Sequence, residues 1–447
     1  MSLPVVFVAL LAGSLGAQTA PQPASGVSIT QQKAAVTKSE RIMAQAQARP
    51  GLLSQYLYMR DAYGADHNHG FRVIFNQYLS WFQTWVGDYA GARTSFSITQ
   101  PAERDDSASP LSSGFRSEPA LDAIAELAKD RQAIFLNENH SIPLTRTLTV
   151  QLLTKLRAEG FDTFASETLY DTDSDLQKRG YPIDETGFYT EEPIYAEMVR
   201  TALKLGYTVV AYEAISDAIG DAREREQARN LYNEVFKKRP DARLVVNAGF
   251  AHIQESGVYL GGQSMAQHFK RLSNIDPLTI EQTFLVPHEK GPDNHPIYNE
   301  VIQALHPAVP IVFRDGSGKP WSLKAKGYDV SVIFPSERWL RARPTWLDLG
   351  GLRTSYRVNG TLCDSHYPCL VEARYVDEGD DAIPADRLVL DPDGPLATTR
   401  DLLLFSTDAT PSGDLYLRPG KYRVVARNPA NQVVGRQNAT VLGDNPK

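Results

Sequence analysis

Cysteine is nearly missing from this chain: two residues, Cys363 and Cys369, in 447. A disulfide-dense scaffold is excluded by that count. A cysteine-based zinc site is disfavoured, because two thiols and the nearby His366 leave the ligand set incomplete. The pair lies six apart and predicts a small loop closed by a disulfide in an exported protein. Basic excess is also missing. Lys and Arg number 46 against 53 Asp and Glu, for a net charge of -7. Nucleic acid is not expected as a partner, because a phosphate-binding surface needs clustered cations. Beyond the N-terminus no apolar run reaches the roughly 18 residues of a membrane span, so no transmembrane segment is expected in the mature chain. No Gly-x-Ser-x-Gly elbow occurs, so no nucleophilic serine is indicated.

What is present falls into blocks. Val5 to Leu15 is apolar and is followed by the small residues Gly16 and Ala17. Residues 1–17 therefore read as a signal peptide, with export to a periplasm or the medium expected. No cysteine follows, so a lipid anchor is not expected. Residues 39–97 are helical in pattern and aromatic, with Tyr56, Phe75, Tyr78, Trp81, Phe82 and Trp85. The stretch Trp85 to Ala92 is like the start of a tetratricopeptide second helix, but repeat arrays need at least three units, so a helical cap is expected instead. His67 and His69 read as exposed loop residues.

From 116 to 345 strand-like and helix-like runs alternate. The strand-like runs are 132–137, 162–166, 207–212, 243–248 and 278–285. The helix-like runs are 119–129, 144–159, 191–205, 219–238 and 262–273. This alternation predicts an α/β fold, a central mostly parallel sheet with helices on both faces. Ala228, Leu231, Tyr232, Val235 and Phe236 form an apolar stripe that should face the sheet. Val309 to Phe313 and Val330 to Phe334 are expected to extend the sheet. Residues 348–443 switch to short alternating runs between Gly, Pro, Asp and Asn clusters, the pattern of an antiparallel β-sandwich.

Two runs carry the chemistry, Asn137-Glu138-Asn139-His140 and Gly249-Phe250-Ala251-His252. Each follows an apolar strand-like run. Glu167 closes the second strand and Glu213 the third. Four successive strands thus deliver an acid or histidine to one edge, where open parallel sheets bind ligands. Arg223, Gln227 and Asn230, spaced i, i+4, i+7, form a polar stripe that either borders this cleft or is a solvated face beside Glu224 and Arg225.

This combination resembles the erythromycin esterase-like and haem-binding ChaN-like superfamily, which includes TraB- and Tiki-like proteins. The resemblance rests on Asn137 to His140, Glu167, Gly249 to His252, Arg146 on the following helix, and Arg223 to Asn230, and spans about residues 118–285. Asn137 replaces the family's usual glycine; Asn tolerates a left-handed turn, but close backbone approach of a substrate there is in doubt.

Three expectations follow. In a hydrolase-like site, His140 is general base, Glu138 or Glu167 orients it, His252 polarises a small-molecule substrate, and Arg146 and Arg223 neighbour an anion, with Glu213, Gln227 and Asn230 lining the pocket. The Tiki-like relatives imply a divalent metal, for which Glu138, His140, Glu167 and His252 are the candidate ligands. The ChaN-like relatives imply haem binding without catalysis, with Tyr170, Tyr181, Tyr189 and Tyr195 nearby as candidate axial ligands. A silent scaffold acting through its β-rich tail is the remaining alternative.

Overall fold

Strand β1 (Arg116–Pro119) leads into the helix Ala120–Leu127. The main sheet follows, built from β2 (Ala133–Glu138), β3 (Thr163–Ser166), β4 (Thr208–Ala211), β5 (Leu244–Gly249) and β6 (Leu278–Glu281). After β7 (Ile311–Arg314), β8 (Val330–Ser331) completes it. The order is β4-β3-β5-β2-β6-β8, with every neighbouring pair parallel. This computed structural model describes residues 29–392 and 411–443; the expected signal segment lies outside them.

The sheet is two-sided because its strands are apolar at consecutive positions, as buried parallel strands are. In β2, Ile134 and Leu136 join one core while Ala133 and Phe135 join the other. The first core is covered by the helices Leu144–Ala158 and Pro193–Lys204. The second is covered by Asp221–Leu231, its π-helical continuation Tyr232–Phe236, and Met265–Ser273. Ala228, Leu231, Val235 and Phe236 are buried there, as their stripe predicts.

The N-terminal helices Ile29–Gln47, Leu52–Ala65, His69–Trp85 and Tyr89–Ser95 share the first core, through Phe75, Tyr78, Phe82 and Trp85. Asn68 and Asp88 cap two of them by accepting from Phe71 N and Gly91 N. His67 and His69 are exposed.

One expectation is half met. Val330–Ser331 extends the sheet, but Ile311–Arg314 does not; it pairs antiparallel with β1. Both segments are apolar, and the run alone does not say which edge accepts it.

Two short strands, β9 (Trp339–Leu340) and β10 (Arg343–Pro344), join this unit to the tail. The tail contains β11 (Thr354–Asn359), β12 (Cys369–Tyr375), β13 (Asp386–Leu390), β14 (Ser412–Leu417), β15 (Gly420–Arg427) and β16 (Val433–Val441). Strands β13-β12-β15-β16 form one antiparallel sheet and β11-β14 a second, with Val358, Val371, Leu415 and Val424 in the core they share. Cys363 and Cys369 are joined as a disulfide.

Candidate functional site

The C-terminal edge of β2, β3 and β5 is where the two sequence runs meet. Glu138 is the last residue of β2, and His140 sits in the turn beyond it. That turn is set by Asn139, whose Oδ1 accepts from Ser141 N at 3.0 Å while its carbonyl accepts from Ile142 N at 3.0 Å. Such an Asx turn is a common use of Asn. It folds His140 back so that Nδ1–H donates to Glu138 Oε1 at 2.9 Å. Arg146, fully buried on the next helix, donates through Nε to Glu138 Oε2 and through Nη1 to Glu192 Oε2 at 2.9 Å.

Glu167 lies just past β3, between two imidazoles. His140 Nε2 stands 3.8 Å from its Oε2, and His252 Nε2 stands 3.3 Å from its Oε1. The far nitrogen of His252, Nδ1, donates to Glu224 Oε2 at 2.8 Å. Each histidine is therefore held by a carboxylate on Nδ1 and turns Nε2 toward the shared Glu167. Arg223 Nη2 donates to Glu167 Oε1 at 3.1 Å and to Glu213 Oε2 at 2.8 Å.

The backbone here is specialised. Gly249 N–H donates to Glu167 Oε2 at 2.5 Å, and a Cβ at Gly249 would run into the His140 ring. Thr168 and Phe250 both adopt left-handed φ, 62° and 43°. Positive φ is uncommon for a β-branched or bulky residue and tends to mark functional sites. The left-handed position is thus Phe250, not Asn137. Asn137 stays in its strand, donates from Nδ2 to Phe250 O at 2.8 Å, and accepts at Oδ1 from Gln282 N at 2.6 Å. A glycine could not brace the Phe250 turn in this way.

Burial governs the electrostatics. Glu138 and Arg146 are 0 % exposed, Glu167 1 %, His252 4 % and His140 5 %. Desolvation would raise Glu138, but Arg146 and His140 hold it below the usual carboxylate range. Glu167 is held well below that range against desolvation, by His252, His140 and Arg223. Burial would lower His252, yet Glu224 and Glu167 lift it to about 10. His252 is therefore an imidazolium at neutral pH, a hydrogen-bond donor and not a base.

The remaining expected residues are present but differently employed. Gln227 Nε2 donates to Glu213 Oε1 at 2.9 Å, and Asn230 Nδ2 donates to the Tyr212 and Glu213 carbonyls at 3.2 and 3.0 Å. Both hold Glu213 in place for Arg223. Arg146 likewise pairs with Glu138 and Glu192. Glu224 is not on a solvated face; it is fully buried against His252. Its signal was legible, since it precedes Ala228, Leu231 and Val235 by four, seven and eleven residues, an acid inside an apolar stripe. Glu192 also escapes sequence reading. It caps the helix Pro193–Lys204 and holds Arg146.

The set does not fit a metal ion. Among the described residues no group of three or more His, Cys, Asp or Glu is arranged to hold one. Glu138 and Glu167 instead accept from Arg146, Arg223, the histidines and Gly249 N–H. Three of the four tyrosines expected as haem ligands have partners within the protein. Tyr189 stacks on His140 with ring centroids 4.1 Å apart, and Phe250 meets it edge-on at 5.0 Å. The Tyr195 hydroxyl is bonded to the Glu167 carbonyl, and the Tyr181 hydroxyl accepts from Gly379 N at 3.0 Å.

No family model matches the chain, and no curated protein matches it. Three solved structures show partial likeness. ChaN of Campylobacter jejuni, solved with cofacial haem, has a TM-score of 0.33 at 10% identity, covering 50% of this chain and 97% of that one. RRSP, a MARTX toxin effector domain from Vibrio vulnificus CMCP6, has a TM-score of 0.29 at 16% identity, covering 51% of each chain. The type III effector HopBA1 has a TM-score of 0.28 at 14% identity, covering 39% of this chain and 88% of that one. Likeness of this size assigns neither a family nor an activity.

Proposed function

We propose that this edge is a hydrolytic site in which His140 activates water against an ester- or amide-type small molecule. One observation carries the reading: two buried histidines, each locked at Nδ1 by a carboxylate, present Nε2 to the same point beside Glu167. Glu138 fixes the His140 tautomer so that Nε2 holds the reactive lone pair. Glu167, 3.8 Å away, is an ionised carboxylate with no proton to donate, so it leaves that lone pair free. His140 Nε2 takes a proton from water as the oxygen attacks the carbonyl carbon. The His252 imidazolium, with Arg223 behind it, stabilises the negative charge that forms on the carbonyl oxygen. His140 then returns the proton to the leaving group. General-base catalysis of this kind contributes about 10²–10⁴-fold.

The apolar run Val5 to Leu15 and the Cys363–Cys369 disulfide support action outside the reducing cytosol. The test is a panel of model esters, lactones and amides assayed with the purified protein and with His140→Ala and His252→Gln. Hydrolysis of at least one substrate, lost in His140→Ala, supports the reading. Turnover untouched by His140→Ala would overturn it.

A further inference from the structure

The roof over His140 is a single segment, Thr168 to Glu192. It starts at the left-handed Thr168 and folds on itself through a bridge between Leu169 and Gly187, and through Tyr170 N donating to Thr186 O at 2.9 Å. Gly187 packs so close to the Thr168 carbonyl that a side chain there would collide with it. The segment ends by laying Tyr189 flat on His140 and placing Glu192 on Arg146. His140 is 5 % exposed, and Tyr189 of this roof covers one face of its ring.

The roof is gripped from outside the α/β unit. Arg387, on β13 of the tail and 3 % exposed, donates through Nη1 to the Glu191 carbonyl at 2.7 Å and to the Trp85 carbonyl at 3.3 Å. Its Nη2 stands 2.7 Å from Glu191 Oε1, and its Nε donates to Glu372 Oε1 at 3.0 Å. One guanidinium thus ties together the tail, the N-terminal helix His69–Trp85 and the roof. Burial pushes the Glu191 carboxyl up to about 8 against the pull of Arg387, so the carbonyl bond is the grip that persists across pH. Trp81 and Trp85 add edge-on contacts to Phe188 at 5.2 and 5.0 Å. Elsewhere on the same seam, Arg200 pairs with Glu378 at 2.7 Å and makes no direct bond to the roof; it reaches only the end far from Tyr189, through Ile383, whose N–H donates to the Pro182 carbonyl at 3.0 Å.

We infer that Arg387 is a positioning residue for the His140 site: it seats the roof segment through Glu191, and with it Tyr189 on His140 and Glu192 on the Arg146–Glu138 pair. Release of this grip uncovers His140 and loosens the Glu138 bond that orients it. The tail is then part of the working site. Its activity consequences rest on the hydrolytic reading; its effect on His140 exposure does not.

The experiment measures modification of His140 by diethyl pyrocarbonate, followed by peptide mass spectrometry, in wild type, Arg387→Met, Arg387→Lys and Arg200→Met. Arg387→Met is expected to raise the His140 modification rate about tenfold, as a local opening shifts. Arg387→Lys, which keeps a charge facing Glu372 but reaches fewer partners at once, is expected to fall between, and it carries the test should Arg387→Met not fold. Arg200→Met is expected to leave the rate at the wild-type value. No rise in either Arg387 variant, or an equal rise in Arg200→Met, would overturn the inference. On any substrate found, Arg387→Lys should lower kcat more than it changes KM. Raised His140 reactivity without any hydrolysed substrate leaves the positioning role standing and counts against the hydrolytic reading alone.

Discussion

Buried charge gathers in two regions of this molecule, and the two are built differently. At the seam between the tail and the α/β unit, every principal pair joins an arginine to a carboxylate: Arg343 with Asp386, Arg200 with Glu378, Arg353 with Glu197 and Arg387 with Glu372. At the sheet edge, histidines are inserted into the chain of charges, so that it runs Glu192, Arg146, Glu138, His140, Glu167, His252, Glu224. An arginine does not give up its proton near neutral pH, so the seam can only hold. A histidine can exchange its proton, and the edge sets its two histidines in different roles. Burial alone therefore does not set the edge apart. What distinguishes it is imidazole held at Nδ1 by a carboxylate, beside a glycine that admits no side chain and two left-handed residues.

The largest expected effects test the likeness between the regions. Arg146→Ala and Arg343→Ala each strand a buried carboxylate, and each should lower stability by about 3–5 kcal/mol in urea unfolding. Equal losses in stability with turnover abolished only in Arg146→Ala would sharpen the comparison. His140→Ala should cost about 10²–10⁴-fold in kcat on a hydrolysed substrate. Its unfolding midpoint should move less than that of Arg146→Ala, because Glu138 keeps its arginine. Opening the Cys363–Cys369 loop by a double Ser substitution should cost about 2 kcal/mol on the loop-entropy estimate and leave turnover unchanged. A loss of turnover in that variant would show that the edge depends on the disulfide loop as well as on Arg387.

A pH dependence separates the regions by sign. His252 is lifted from 6.5 to about 10, so its contribution is full below about 6.5 and is lost as pH rises through 10. Glu197 and Glu372 at the seam are pulled down from 4.5 to about 2 by their arginines despite desolvation. Their contribution is full above 4.5 and fades as pH falls toward 2. The stability gap between wild type and His252→Gln should accordingly shrink between pH 6 and pH 10. A gap that stays constant across that range would contradict the ion pairs drawn for His252.

Much of this was legible in the sequence because the signals are local. The strand runs, the stripe of Ala228 to Phe236 and the edge stations of Glu138, His140, Glu167 and His252 follow from periodicity and chain order. What was not legible depends on distant partners. Arg146, Gln227 and Asn230 carry no mark that says whether they face a ligand or another side chain; packing decides that. Asn137 looks like a glycine substitute in a turn, whereas its work is a bond to Phe250, 113 residues away. Glu192 reads as a helix cap before Pro193, and nothing local shows that it also holds Arg146. Glu224 was the recoverable miss, since an acid in an apolar stripe calls for a buried partner.

The most direct measurement is a long-range proton–nitrogen correlation of the histidine imidazoles, followed from pH 5 to pH 10.5 in uniformly labelled protein. His252 is expected to stay doubly protonated until pH is near 10, and neutral His140 to carry its proton on Nδ1. Titration of His252 near 6.5, or an Nε2-protonated His140, would contradict the paired-imidazole site on which the proposed chemistry stands.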